Sequence, residues 1–187
     1  MQYINGFPVL IIILSLTFYL PIRYIIVKRK EHRVNYYKEI VYILLIAYGE
    51  SVVYLTVFPS PGANPSGEVS VNLIPFQTIN RYFAFQGNAA IPIINLLGNV
   101  VVFIPIGLFA VFLNKKLSFM GAFLIGFSCS LSIEITQLIL SFLKILSRSF
   151  DIDDIILNTL GVLLGFIIIK LILSLNNLIR NVPLIKK

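Results

Sequence analysis

Four carboxylates and four amides lie where apolar sequence surrounds them, and that placement is the strongest chemical signal in the chain. Glu50, Glu134, Asp151 and Asp154 fall inside long hydrophobic runs or at their mouths, as do Asn95, Asn99, Gln137 and Asn158. An Asp at the centre of a membrane helix costs at least about 2.5–3.5 kcal/mol on insertion scales, so such groups mark function by default. A buried carboxyl can give or take a proton, which makes Glu134, Asp151 and Asp154 the candidate acids and bases. Asp151 and Asp154 could share a divalent cation through hard oxygen ligands, although the Asp-Ile-Asp-Asp run is slender ground for a metal. His32 stands between Glu31 and Arg33 with no second His or Cys nearby, so it is not expected to bind metal. No P-loop, Cys/His cluster or Ser/His/Asp set is present.

Helical phase gathers these residues. Asn95 and Asn99 are four apart and Glu134 and Gln137 three apart, so each pair shares a face. Asp151, Asp154, Asn158, Gly161 and Gly165 step by 3, 4, 3 and 4, a single stripe that is acidic at one end and glycine-lined below. Small residues at this spacing let helices approach closely in lipid. Asp153 is out of phase with the stripe and is expected to face away. Plainer alternatives exist for each group. Acids that open a helix favour its N-terminus through capping and dipole. Amides between helices act as glue, and Glu134 can pair structurally with Arg148.

The elements that must position these groups are five apolar runs, residues 7–27, 40–58, 91–113, 117–143 and 152–175. About 20 residues at 1.5 Å rise cross the roughly 30 Å hydrocarbon core, and an α-helix satisfies its own backbone there. The chain has 187 residues, 58% hydrophobic and 12% charged. It therefore reads as an all-α integral membrane protein, a bundle of five transmembrane helices forming one domain over 1–187.

The net charge of +7 is not a nucleic-acid footprint, because its placement follows the membrane. Lys28, Arg29, Lys30, Arg33, Lys38, Lys115, Lys116, Arg180, Lys186 and Lys187 fall on one side, ten in all, against Arg81, Lys144 and Arg148 on the other. The positive-inside rule puts the ten in the cytoplasm, with the N-terminus outside a multi-pass cytoplasmic-membrane protein and the C-terminus inside. No charge precedes the first run and no A-x-A-like site follows it, so it is expected to be a retained helix. Cys129, inside the fourth run, is expected to be a buried packing thiol. Arg23 and Lys170 are placed to snorkel to the cytoplasmic interface. In this topology Glu50, Asn99 and Glu134 lie about 12–13 Å below the outer surface and Asn158 about 9 Å, one polar layer in the outer leaflet.

One long extracytoplasmic loop, residues 59–90, opens with a Pro/Gly/Ser breaker cluster over 59–67. Residues 69–79 are apolar, interrupted by Pro75 and too short to span, which suggests an interfacial or re-entrant segment. Arg81 with Tyr82, Phe83 and Phe85 suits the headgroup level.

Four blocks carry a family resemblance. They are Asn72-Leu73-Ile74-Pro75-Phe76 with Thr78 and Ile79; Asn95-Leu96-Leu97-Gly98-Asn99 with Phe103, Pro105 and Gly107; Ser132, Glu134 and Gln137; and Arg148, Asp151, Asp154, Asn158, Gly161 and Gly165. In this order and spacing, over about residues 45–170, the chain resembles the VanZ-like family of Gram-positive membrane proteins, named for a teicoplanin-resistance protein. The resemblance implies a protein that lowers susceptibility to lipoglycopeptide antibiotics, a phenotype rather than a reaction. It adds Asn72 to the binding candidates Asn95, Asn99, Gln137, Arg148 and Asn158, while Glu50 and Asp153 stand mainly on their position in the runs.

Three functions stand side by side at this level. The favoured one is an enzyme or binder for a lipid or lipid-linked envelope precursor, with Arg148 offering a planar donor fork to a phosphate. The second is a small proton-linked transporter or flippase subunit using Glu134 and Glu50, against which the inner halves of the runs offer few ionisable groups. The third is a non-catalytic scaffold that modulates cell-wall enzymes, although a scaffold need not concentrate carboxylates at one depth.

Overall fold

The computed structural model describes residues 7–29, 35–57, 69–146 and 148–181. The breaker cluster at 59–67, Phe58, His32 with Lys30, Glu31 and Arg33, and the terminal Lys186 and Lys187 lie outside the described residues. The described residues form six helices and one short β-pair. In chain order these are α1 (Phe7–Arg29), α2 (Tyr36–Val57), β1 (Val71–Asn72), α3 (Gln77–Phe83), α4 (Ala90–Leu113), α5 (Phe119–Phe142), β2 (Phe150–Asp151) and α6 (Ile152–Asn181).

Four helices, α1, α4, α5 and α6, are long and apolar enough to cross a membrane, which makes the chain a multi-pass membrane protein. The 22-residue α2 has the length but is not among them. Over its whole length α2 is as apolar as α1 and α6, with charges at Lys38, Glu39 and Glu50, and the fifth expected span is not shown.

Helix α6 packs along both α4 and α5; α2 packs on α4 and α5, and α1 on α2. Glycine sets the α4–α6 distance. A Cβ on Gly107 would overlap the Val162 carbonyl, and one on Gly165 would overlap the Ile104 carbonyl. The two backbones therefore touch directly, the van der Waals contact that holds helices together where lipid removes the hydrophobic drive. Helix α5 turns a stripe of small and polar residues inward, namely Ala122, Gly126, Ser130, Glu134, Gln137 and Ser141, all buried. Cys129 falls off that stripe and is exposed, which corrects the expectation of a packed thiol. The Tyr48 hydroxyl donates to the Val102 carbonyl and ties α2 to α4.

The two cations expected to snorkel have protein partners. Arg23 forms a two-bond ion pair with Glu39, at 2.7 and 2.9 Å. Lys170 Nζ donates to the Lys115 carbonyl at 2.8 Å.

At the other end of the bundle, β1 pairs in parallel with β2, Val71 opposite Phe150 and Asn72 opposite Asp151. The segment 69–79 becomes β1, a turn and the start of α3. The turn places Phe76 in the left-handed region at φ 66°, a conformation that costs a bulky residue about 1–3 kcal/mol. Asp153 offsets that cost. Its Oδ1 accepts the Phe76 N–H, and its Oδ2 accepts those of Thr78 and Ile79 at 2.8 and 3.1 Å.

Candidate functional site

The N-terminal parts of α4 and α6 meet the C-terminal parts of α2 and α5 around a cavity of about 180 Å³. Its walls include Leu55 of α2, Asn99, Val102 and Phe103 of α4, Ile133, Glu134 and Gln137 of α5, and Asp154 and Asn158 of α6. Gln137, Arg148 and Asp154 also line an adjoining outer chamber of about 360 Å³. There they meet Asn72, Thr78, Arg81, Tyr82 and Asp151, so the outer chamber lies against β1 and α3. The inner lining combines apolar side chains, Leu55, Val102, Phe103 and Ile133, with carboxylates, amides and Arg148.

Each polar side chain is held by a specific bond. Glu134 is 2% exposed, and its Oε2 accepts the Asp151 N–H at 3.0 Å. Asn99 Nδ2 donates to Asp154 Oδ1. Asn158 Nδ2 donates to Ser130 Oγ at 2.9 Å, while its Oδ1 is buried with no partner. The Ser141 hydroxyl bridges both backbone groups of Arg148, donating to its carbonyl at 2.8 Å and accepting its N–H at 3.2 Å. That clamp fixes the main chain of Arg148 and leaves the guanidinium at the boundary of the two chambers. Among the described residues the ion pair within 4 Å is Arg23–Glu39, so Arg148 and Glu134 stand beyond contact distance, while the Arg148 charge acts on both Glu134 and Asp154.

Asp151 is tied up more fully than the sequence suggests. Its Oδ1 accepts from Asn72 Nδ2 and from the Asp153 N–H, both at 2.9 Å, and its Oδ2 accepts the Thr78 hydroxyl. Asn72 Oδ1 in turn accepts the Ile74 N–H at 3.1 Å, which shapes the turn into α3. These bonds make Asp151 and Asn72 a junction between the two loops, and they leave Glu134 and Asp154 as the carboxylates facing the inner chamber. Among the described residues no group of three or more His, Cys, Asp or Glu is placed to hold a metal.

Asp153 lines neither chamber, in keeping with its phase, but it has a role that phase does not show. Helical phase suggests that it faces away from the stripe, yet it is fully buried and caps α3 through three N–H groups. Phase compares residues on one helix and is blind to a loop folded back over the helix mouth. Two binding candidates stand apart. Asn95 is exposed, a turn of α4 away from Asn99. Glu50 lines neither chamber, although its Oε2 is buried without a partner. Its absence from the chamber walls removes one of the two carboxylates that a proton path would use.

Two site residues escape the sequence reading although a signal for each exists. Ser130 lies four residues before Glu134, on the same face, and anchors Asn158. Arg81, suited by its neighbours to the headgroup level, lines the outer chamber with Arg148.

The model of the VanZ/LLP1 family matches residues 40–173, from α2 into α6. The chain belongs to the VanZ/LLP1 family. No curated protein and no solved structure matches it. Every residue lining the two chambers falls within the VanZ/LLP1 match, and α1 lies before it.

Proposed function

We propose that this VanZ/LLP1 protein binds a lipid or lipid-linked envelope molecule at an outer-leaflet site and thereby lowers susceptibility to lipoglycopeptides such as teicoplanin. One observation carries the reading: Glu134, Asp154, Asn99 and Arg148, from elements far apart in sequence, line a single cavity at one end of the bundle. In this reading α2 is a fifth span, because it packs on both α4 and α5. The N-terminus is then outside the cytoplasmic membrane and the C-terminus inside. Segment 69–85 lies at the outer interface, supported by the exposure of Leu73, Ile74, Phe76, Phe83 and Phe85. Arg148 and Arg81 hold an anionic headgroup. If a reaction takes place, Glu134 and Asp154 are its acid and base, since Asp151 is occupied by internal donors.

The test is expression in a susceptible Gram-positive host. Resistance to teicoplanin should rise more than resistance to vancomycin, because the acyl chain of teicoplanin places it at the membrane surface. Mass spectrometry of the purified protein should find a copurified envelope lipid. Equal or absent effects on the two antibiotics, with the protein present in the membrane, would refute the reading.

A scaffold reading has one observation in its favour. Glu134, Asp151 and Asp153 all place oxygens on internal donors that join the loops to α5 and α6. It predicts that Glu134→Gln leaves resistance intact at equal membrane abundance, whereas the binding reading predicts its loss.

A further inference from the structure

We propose that the ligand enters the inner chamber sideways from the outer leaflet, through an opening between α2 and α4, and leaves a hydrocarbon chain there against Gly98 and Leu55. The inference rests on the lipid-binding reading above and adds to it the route and the site of the chain. It makes the ligand an amphiphile held at both ends, rather than a water-soluble anion that arrives through the outer chamber.

Gly98 is the telling residue. The other glycines of α4 and α6, Gly107, Gly161 and Gly165, each have a neighbouring backbone where a Cβ would stand. Close helix packing explains all three. A Cβ on Gly98 would meet nothing within 4 Å, although Gly98 belongs to the chamber wall. Glycine is the poorest helix former after proline, so Gly98 weakens α4 without bringing another helix closer. The space that it keeps clear is open to a ligand chain. Ile94 and Val101, four residues before it and three after it on the same face, are exposed, as on a flank that meets lipid.

Helix α2 shows where the opening lies. Val52 and Leu55 are three residues apart and share a face. Val52 is 4% exposed and sealed against Phe103 and Val162, and one turn below it the Tyr48 hydroxyl ties α2 to Val102. Leu55 also lines the chamber, yet it is 64% exposed. The chamber is therefore closed toward the middle of the bundle and open at its side beside Leu55. Gly98 stands two turns into α4, about 12 Å from the end that the proposed topology places outside. On a helix long and apolar enough to cross the membrane, that depth is hydrocarbon. Val102, Phe103 and Ile133 continue the apolar surface inward, while Arg148 and Asp154 line both chambers. A lipid in this opening lays its first chain carbons on the apolar residues and its headgroup beside Arg148.

The experiment is native mass spectrometry of the purified full-length protein in detergent. The probes are dioleoyl phosphatidylglycerol and its deacylated counterpart, glycerophosphoglycerol. The wild type should bind one phosphatidylglycerol per chain, about tenfold or more tighter than the deacylated compound. Gly98→Leu, which fills the opening, should weaken lipid binding by about tenfold, the scale of an overpacked contact. Gly49→Leu is the control. A Cβ at Gly49 also meets nothing within 4 Å, but Gly49 lines neither chamber, so this variant should bind lipid like the wild type. Both variants should unfold no sooner than the wild type, because leucine is the better helix former. Equal binding of the two probes by the wild type would overturn the sideways route while leaving an anion site standing, and that comparison requires no variant to fold. Gly98→Leu binding the lipid as tightly as Gly49→Leu would overturn the opening. Binding of neither probe to the wild type would overturn the lipid-binding reading beneath it as well.

Discussion

Glu134 Oε2 accepts the backbone N–H of Asp151 at 3.0 Å, so the most buried carboxylate of the cavity also fixes the short strand beside it. The same side chain thus makes a structural bond and lines the cavity. The two roles separate by substitution.

Glu134→Gln keeps an amide oxygen for the Asp151 N–H. It should unfold within about 0.5 kcal/mol of the wild type. Glu134→Leu leaves that N–H buried without a partner and should lose roughly 1–3 kcal/mol. Thermal unfolding in detergent measures both. If Gln and Leu destabilise equally, the charge rather than the acceptor holds β2 in place.

Asp153 is the residue whose removal should be felt most in the outer loop. Asp153→Ala strands the N–H groups of Phe76, Thr78 and Ile79 and leaves the left-handed Phe76 unsupported. The loss should reach about 2 kcal/mol, the upper range for a helix cap. Hydrogen exchange should accelerate in residues 76–83 first, with α4 and α5 unchanged. Unaltered exchange there would show that β1–β2 pairing alone holds α3.

Much of this arrangement is legible in the sequence, and the reasons are local. The stripe from Asp154 through Asn158 to Gly165 lies on one helix, where spacing translates directly into a shared face. Its glycines do meet α4, and Asp154 and Asn158 do line the cavity. Glu134 and Gln137 follow the same logic on α5. Asp153 and Asp151 do not, because their partners belong to a loop more than 70 residues earlier. No periodicity within α6 can reveal that contact. Asn95 fails for a related reason: phase pairs it with Asn99, but no neighbouring helix covers it.

The α4–α6 backbone contact gives a steric prediction. A side chain at Gly165 meets the Ile104 carbonyl and the Leu108 amide, neither of which can swing aside. Gly165→Ala should therefore destabilise by about 1–3 kcal/mol, the usual penalty for overpacking. Gly98→Ala, where nothing lies within 4 Å, is the matched control and should be near neutral. Equal effects would mean that helix propensity outweighs contact.

Topology is tested with single cysteines in a Cys129→Ser background, since Cys129 is exposed. Cysteine at Asn88, in the α3–α4 connection, should react with an impermeant thiol reagent added to intact cells. Cysteine at Lys115, in the α4–α5 connection, should react only after lysis. Lys38, in the first turn of α2, decides the fifth span, since it should behave like Lys115. Reaction of the Lys38 position in intact cells would remove α2 from the spanning set, and reversed labelling of Asn88 and Lys115 would turn the site toward the cytoplasm.

Arg148 offers the cleanest separation of function from folding. Ser141 holds it through its main chain, so its side chain can change without disturbing that clamp. Arg148→Lys keeps the charge but loses the planar fork, and it should weaken retention of a phosphate lipid by about tenfold. Arg148→Ala should weaken it further, and both proteins should unfold near the wild-type temperature. Teicoplanin protection should fall in the same order, wild type above Lys above Ala, at equal membrane abundance. Lipid retention measured beside protection makes the result decisive. Full protection and full lipid retention in Arg148→Ala would remove the guanidinium from the site, and with it the anionic headgroup that gives the outer chamber its purpose.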